Sequence, residues 1–537
     1  MTVISIRKIP TNVVYCKFIW SSHFVYINVI ICLYNEQIVF SEKKVKFMIK
    51  KVLALILAGI LLIPVLASCN NGKQSGQDTS DSISIEVTDA DKSTTAYVKK
   101  TYGQYDFEGY DFRILGRDKG HYLINEDNGS EIWYEEEGSD NFQSAVFRRN
   151  KLTEELLNVK ISLIEAGEYI YDQIALARRL VDNQEDAYDM FVGNIDRNMR
   201  AAMDGYFYNL YDIESFDLKA DWWDQKLVNA YSYANSKLYL IVGHYNIFDD
   251  YAMPVVFYNQ MVVEENNLTD PAEYVRSGEW TIDRMMADAA VVTKEVNGDG
   301  VMTMDDSWGL LDNGYVMIHF IEGCNTLIAG PDADGIPEIR ISSESYINAA
   351  EHVYNSIVCS PSYLSVGNEE GIEILSSDRA LYYYEMLGCI NQLRDMESTF
   401  SLLPLPKESE AQREYTSTVN TVWATALSVP ITNPDFERTG IIMDVLGGFS
   451  TDTVHTTLYE VLLGARLIRQ PDTVEMIQYV LDSTQYDWSK EFGWAQSFTT
   501  ALAGMTKDTS FTLASSLRSN IRMLEKSLKT YVSKIAN

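Results

Sequence analysis

Asp111-Phe-Arg-Ile-Leu115, Val159-Lys-Ile-Ser-Leu163 and Tyr188-Asp-Met-Phe-Val192 are three short apolar runs, and helical periodicity fills both gaps between them. In the first gap Phe142, Val146, Leu152 and Leu156 recur at helical spacing over Asn141–Leu157. In the second, a further helix is expected around Tyr169–Val181. In the middle run Val159, Ile161 and Leu163 alternate with Lys160 and Ser162, the period of a strand. Strand, helix, strand, helix, strand at this spacing predicts an α/β unit with a largely parallel sheet. Ligands in such sheets sit beyond the carboxyl ends of the strands. That rule nominates Arg117 and Asp118 after the first strand, and Asn194 and Asp196 after the third.

Further along, Ser236-Lys-Leu-Tyr-Leu-Ile-Val242 and Met253-Pro-Val-Val-Phe-Tyr-Asn259 read as two more strands. Thr281 is placed to cap a helix whose first turn holds Asp283. Asn433-Pro434 sets a capping side chain before a proline, and Ile441, Ile442, Val445 and Leu446 follow. From Leu458 onward the pattern is mainly helical. No internal repeat is present.

The N-terminal region is of another kind. Met48 is followed by Lys50-Lys51, an uncharged and almost wholly apolar run from Val52 to Val65, and Leu66-Ala67-Ser68-Cys69. Positive charge, a short apolar core and small residues before a cleavage point make a secretory signal peptide. A spanning helix needs about 20 apolar residues, more than this run supplies. Leu-Ala-Ser-Cys resembles the lipobox of bacterial lipoproteins. The resemblance implies cleavage before Cys69 and acylation of its thiol, with two chains enough for stable anchoring. An ordinary signal peptide with an incidental cysteine is the competing reading. Residues 1–47 are read as an over-extended translation start, against a genuine extra spanning segment around Ile19–Leu33. After Cys69 a stretch rich in Asn, Gly, Gln, Ser, Thr and Asp cannot bury enough apolar surface to order itself, so 69–101 reads as a flexible tether.

The chain carries a formal charge of −32. Residues 1–68 contribute eight basic and two acidic groups, which leaves −38 for the remainder. Such a balance disfavours nucleic acid as a partner, and any membrane association other than through the lipid anchor. Cys324, Cys359 and Cys389 can form one disulfide at most and read as unpaired small hydrophobes. His121, His244, His319, His352 and His455 are scattered, with no zinc-ligand spacing among them.

Six separated segments, Trp222-Trp-Asp-Gln225, Ser236-Lys-Leu-Tyr239, Val256-Phe-Tyr-Asn259, Gly278-Glu-Trp-Thr281, Leu403-Pro-Leu-Pro-Lys407 and Glu437-Arg-Thr-Gly440, form an ordered set. Together they resemble bacterial extracellular solute-binding proteins of family 1, the maltose-binding-like class, from about Tyr102 to Lys534. The resemblance implies a two-lobed α/β fold of the periplasmic-binding-protein type II, with hinge-linked lobes and a C-terminal helical region. It places crossings near His244–Asp250 and Leu405–Tyr415. Lobe one is then 102–245 plus 408–465, and lobe two 246–407 plus 466–537. It also implies a monomeric lipoprotein on the outer face of a bacterial cell membrane, capturing a sugar, most simply an oligosaccharide, for ABC permease subunits.

A sugar asks for planar polar groups at its hydroxyls and an aromatic plate under its C–H face. By position in the family pattern, Arg117, Asp118, Asn194, Asp196, Asp249 and Asp250 supply the first. Tyr384 and Trp423 supply the second. Each of these has a bland alternative as a core aromatic, a loop cap or a surface charge, and Trp222 and Trp223 read as structural. No cofactor is required. Glu295, Asn297, Asp299, Val301, Thr303 and Asp306, with Gly300 at the sixth position, follow the spacing of a calcium loop. Glu at the first position and Asp at the twelfth depart from it, and a metal-free turn is the alternative. The competing functions are a sensing or scavenging lipoprotein without its own permease and a surface glycoside hydrolase. No Gly-x-Ser-x-Gly elbow occurs, so the reading is a binding protein and not an enzyme.

Overall fold

The computed structural model describes residues 3–8, 13–19, 27–32, 93–117, 130–138, 141–167, 170–393, 396–458, 471–491, 495–506 and 513–536. Cys69, Asp118 and His121, and with them the signal peptide, lipidation and most of the tether readings, lie outside these residues. The chain divides into two units, 1–85 and 86–537. In the first, β1 (Val3–Lys8), β2 (Val13–Ile19) and β3 (Ile27–Cys32) form an antiparallel meander. Short β-branched runs explain these strands, although no clear period marks them in the sequence.

The second unit is built on two sheets. The first holds β4 (Tyr110–Gly116), β5 (Val159–Glu165) and β6 (Met190–Asn194). The second holds β7 (Pro254–Asn259), β8 (Trp308–Asp312) and, past the hairpin of β9 (Ala329–Pro331) and β10 (Pro337–Ile339), β11 (Tyr363–Ser365), β12 (Ala380–Met386) and β13 (Phe400–Leu403). The chain then forms β14 (Ser417–Thr418), returns to the first sheet as β15 (Thr425–Ser428), and pairs β14 with a late strand, β16 (Thr484–Gln485). The strand orders are β15-β6-β4-β5 and β11-β8-β12-β7-β13. β4 runs parallel to β5 and β6, and β15 antiparallel. This is the two-lobed α/β architecture expected, with the chain passing between sheets at 243–253 and again at 404–424.

The predicted helix Asn141–Leu157 forms with those bounds, and the next spans Ile170–Asp182. Thr281 caps Ile282–Val292 by accepting from the Arg284 amide at 3.2 Å. Three expectations need correction. Ser236–Val242 is not a strand: it makes single bridges at Tyr233–Lys237 and Ile241–Leu427, because its other backbone groups go to separate loop partners, Leu238 to the Asn209 side chain and the Leu210 amide and Val242 to the Asp224 amide. Asn433 is not the cap of the long helix Phe436–Ser450. Asp435 caps it, and Asn433 instead binds the Asp189 carbonyl and Thr439. The C-terminal helices do not belong to the second sheet alone: Pro471–Asp482 lies on β13, whereas Trp488–Glu491 and Leu513–Ala536 also contact Ile195–Met203 of the first.

One contiguous apolar core serves both sheets. Trp222 and Trp223 are buried in it, and both indole N–H groups donate to Asp444, at 3.4 and 2.9 Å. Burial raises the Asp444 carboxyl to about 7 while four donors hold it in place. The structural reading of the tryptophan pair stands.

Candidate functional site

β4 ends at Gly116 and delivers Arg117; β6 ends at Asn194, just before the helix Ile195–Met203. β15 is antiparallel to β6, so its first residue, Thr425, lies opposite Asn194 at the same edge. The first crossing segment comes to this edge too. Its Asn246 donates to the Thr425 hydroxyl at 3.1 Å. At the centre is a residue the sequence reading did not nominate, Glu131. It is buried, accepts from the Thr425 hydroxyl, and accepts from the Ile247 amide at 3.1 Å. Nothing local in Ser130-Glu131-Ile132 signals this role, since each partner is over a hundred residues away.

Electrostatics at this edge are tense. Burial raises the Glu131 carboxyl, against the pull of Thr425, Ile247, Arg117 and Arg149. Arg117 is 8% exposed and lies 5.6 Å from the Phe248 ring; burial lowers its affinity for a proton, and Glu131 partly restores it. Among the described residues its Nη2 meets no hydrogen-bond acceptor. Arg149 is more heavily engaged: its Nη2 donates to the Glu131 and Ile132 carbonyls at 3.0 and 2.9 Å, its Nε to Asn150 at 3.0 Å, and its guanidinium covers Tyr245, while its Nη1 also meets no acceptor among the described residues. Asp249 and Asp250, on the crossing helix Phe248–Tyr251, are both raised, Asp250 to about 7. Desolvation is the main cause for both; repulsion from Asp250, Glu131 and Asp224 adds to it at Asp249, and from Asp224 at Asp250.

Arg117 and Asp249 thus both feel the Glu131 charge and Asn194 lies opposite Thr425, whereas Asp250 feels Asp224. Asn194 is already occupied, with its Nδ2 donating to the Val422 carbonyl at 2.5 Å. Asp196 lies in the first helical turn, 3.4 Å from Arg197 and from Arg200, with burial raising it to about 6. Trp423 is half-buried beside Asn194 and packs against the core. Tyr384 requires correction as a stacking plate. It is fully buried in the middle of the second sheet, packed on His319 and Phe320, so its ring faces core and not a cleft. Alternation does not bring it to a surface, because the whole of β12 is buried on both faces.

What the second sheet presents at its carboxyl edge is Asn313, Tyr315 and Glu385, which the sequence reading missed. Tyr315 is 47% exposed. Asn313 donates to Glu385 at 2.6 Å, and burial raises Glu385 to about 7. Beside the first crossing, His244 and His455 stack with ring centroids 3.9 Å apart, and His244 Nδ1 lies 2.8 Å from the Thr451 hydroxyl. Desolvation lowers the two imidazoles to about 4 and about 3.

The 295–306 turn is closed by its own amides. Asp306 Oδ1 accepts from Val296 and Oδ2 from Thr303, while Glu295, Asn297 and Asp299 cap Gly298, Asp299 and Val301. Gly298 and Gly300 take the left-handed backbone this winding requires. Among the described residues no three His, Cys, Asp or Glu side chains converge as a metal cage. Cys324, Cys359 and Cys389 are all free thiols.

No protein-family description matches the chain, and no curated protein matches it in sequence. Solved structures do. The cyclo/maltodextrin-binding protein bound to maltotetraose aligns with a TM-score of 0.55 at 10% identity, over 79% of this chain and 99% of that one. The galacto-N-biose/lacto-N-biose I-binding protein of the ABC transporter from Bifidobacterium longum, bound to lacto-N-biose, gives 0.55 at 10% identity, over 79% and 98%. The chain therefore has the periplasmic-binding-protein type II fold, and these structural neighbours are sugar-binding proteins. Among the described residues no helix is long and apolar enough to cross a membrane.

Proposed function

We propose that this chain is the substrate-binding lipoprotein of an ABC importer, anchored through Cys69 and capturing a carbohydrate between its lobes without turning it over. The observation that carries the reading is the Glu131–Thr425 node: a crossing segment, a strand end and an unsatisfied buried guanidinium meet at the carboxyl edge of a sheet in this fold. There Arg117, Asp249 and Asp250 offer planar donors and acceptors to hydroxyls, with Asn313, Tyr315 and Glu385 as the opposing set on the second sheet. A protonated carboxyl both donates and accepts, which suits a sugar OH. Closure is driven by whatever free energy the solute gains by touching both lobes.

A thermal-shift screen against mono- and oligosaccharides tests this. A ligand at 100 times its Kd stabilises by about 2.7 kcal/mol. Absence of any shift across the panel, or release of cleaved glycan from the incubation, overturns it. Labelled fatty acid incorporated into the wild type and absent from Cys69→Ser tests the anchor. Titration with Ca²⁺ tests the 295–306 turn.

A further inference from the structure

The C-terminal helix Leu513–Ala536 reverses the charge of the molecule. Residues 513–537 hold five basic groups and one acidic, whereas residues 69–512 total −42. Arg518, Arg522, Lys526 and Lys529 follow at intervals of four, four and three, so they share one helix face and span about 16 Å. All four are exposed. Arg522, Lys526 and Lys529 have no ion-pair partner among the described residues, although Glu525 lies on the same helix. The opposite face is used up: Leu513, Leu524, Tyr531 and Ile535 are buried, with Tyr531 edge-on to Trp488. The end is pinned by Lys237, which donates to the Ile535 carbonyl, and by Lys534, 2.8 Å from Asp204. A pinned helix therefore shows an exposed cationic stripe on an anionic protein.

We propose that this stripe is a docking surface for anionic phospholipid headgroups, which orients the folded domain on the membrane that anchors it. The inference rests on the lipid-anchor reading for the presence of a bilayer. The overall negative charge does not forbid it, because at physiological salt charges more than about 8 Å away are screened and the stripe alone meets the headgroups. Clustered Lys and Arg on an amphipathic helix are the pattern that anionic lipid selects. Its apolar side is already taken, so contact is electrostatic and salt-sensitive, without insertion.

Hydrogen exchange of the full chain, read locally, provides the test. With phosphatidylglycerol/phosphatidylcholine vesicles the amides of 513–536 should exchange at least threefold more slowly, and 0.5 M salt should abolish the effect. Pure phosphatidylcholine should leave them unchanged. Arg522→Glu/Lys526→Glu/Lys529→Glu should lose the protection while keeping its melting temperature; should it misfold, the milder Lys526→Gln/Lys529→Gln should show a partial loss. Equal protection by neutral lipid, none by anionic lipid, or none lost in either variant overturns the proposal. So does protection that rises with protein concentration alone, which would assign the stripe to a second copy. Failure of acylation at Cys69 with intact helix protection would instead fault the anchor.

Discussion

The two sheets present opposite solutions to the same problem at their carboxyl edges. Each buries carboxylates there. In the second sheet they are locked by neighbours on the same lobe: Asp312 accepts from the Tyr363 hydroxyl and the Val316 amide, and Glu385 from Asn313, Tyr383 and the Met386 amide. In the first sheet, Glu131 is held by groups from β15 and from the crossing segment, while Arg117 and the Asp249–Asp250 pair are left under-compensated. One edge ties its carboxylates to donors within a lobe, although the Asn313 carbonyl oxygen and the Tyr384 hydroxyl there meet no partner among the described residues. The other ties the lobe to its hinge and keeps polar groups in reserve, which is where a solute would gain most.

The largest test of this contrast is Glu131→Ala. It removes the acceptor for Thr425 and Ile247 and leaves Arg117 and Arg149 buried without their carboxylate, so urea unfolding should show a loss of about 3–5 kcal/mol. An equal loss in Glu385→Ala would erase the difference between the two edges.

Next comes a dependence on pH. Glu385 is raised in the fold from 4.5 to about 7, so the folded state binds the extra proton. Stability from this group is therefore fullest below pH 4.5 and falls as pH rises toward 7. Glu385→Gln should remove that slope, gaining up to about 3 kcal/mol on wild type between pH 4 and 8. The His244–His455 stack works the other way: its lowered affinity for protons costs stability as pH falls from 6.5 toward 4. A variant as steep as wild type above pH 4.5 would show that Glu385 is ionised without penalty.

For ligand capture, Arg117→Ala should weaken sugar binding at least tenfold, about 1.4 kcal/mol by calorimetry, with the melting temperature little changed. Unaltered affinity would move the site away from the Glu131 node.

The first sheet was legible because periodicity is local: Asn141–Leu157 and the parallel strands followed from spacing alone. Arg117 and Asn194 were nominated by the rule that ligands sit in loops after strands, and Asp249 and Asp250 by the crossing segment of the family pattern. Glu131 was not, because its partners Thr425 and Ile247 are distant in sequence and no spacing joins them. Tyr384 was misplaced for the converse reason. A tyrosine in Leu381-Tyr-Tyr-Tyr-Glu385 looks the same whether its strand is half-covered or, as here, covered on both faces. The calcium spacing in 295–306 likewise names oxygens without telling whether they point at a common centre or at the loop's own amides.

The smallest effect sharpens the comparison most. The Tyr384 hydroxyl is buried and makes no hydrogen bond among the described residues. Removing it relieves an unsatisfied polar group and leaves the packing on His319 and Phe320 intact. Tyr384→Phe should therefore stay within about 0.5 kcal/mol of wild type, or stabilise slightly, and leave sugar affinity within twofold. A marked loss of affinity would mean that the second sheet opens this ring to the solute when the lobes close, and that its edge is as unfinished as the first.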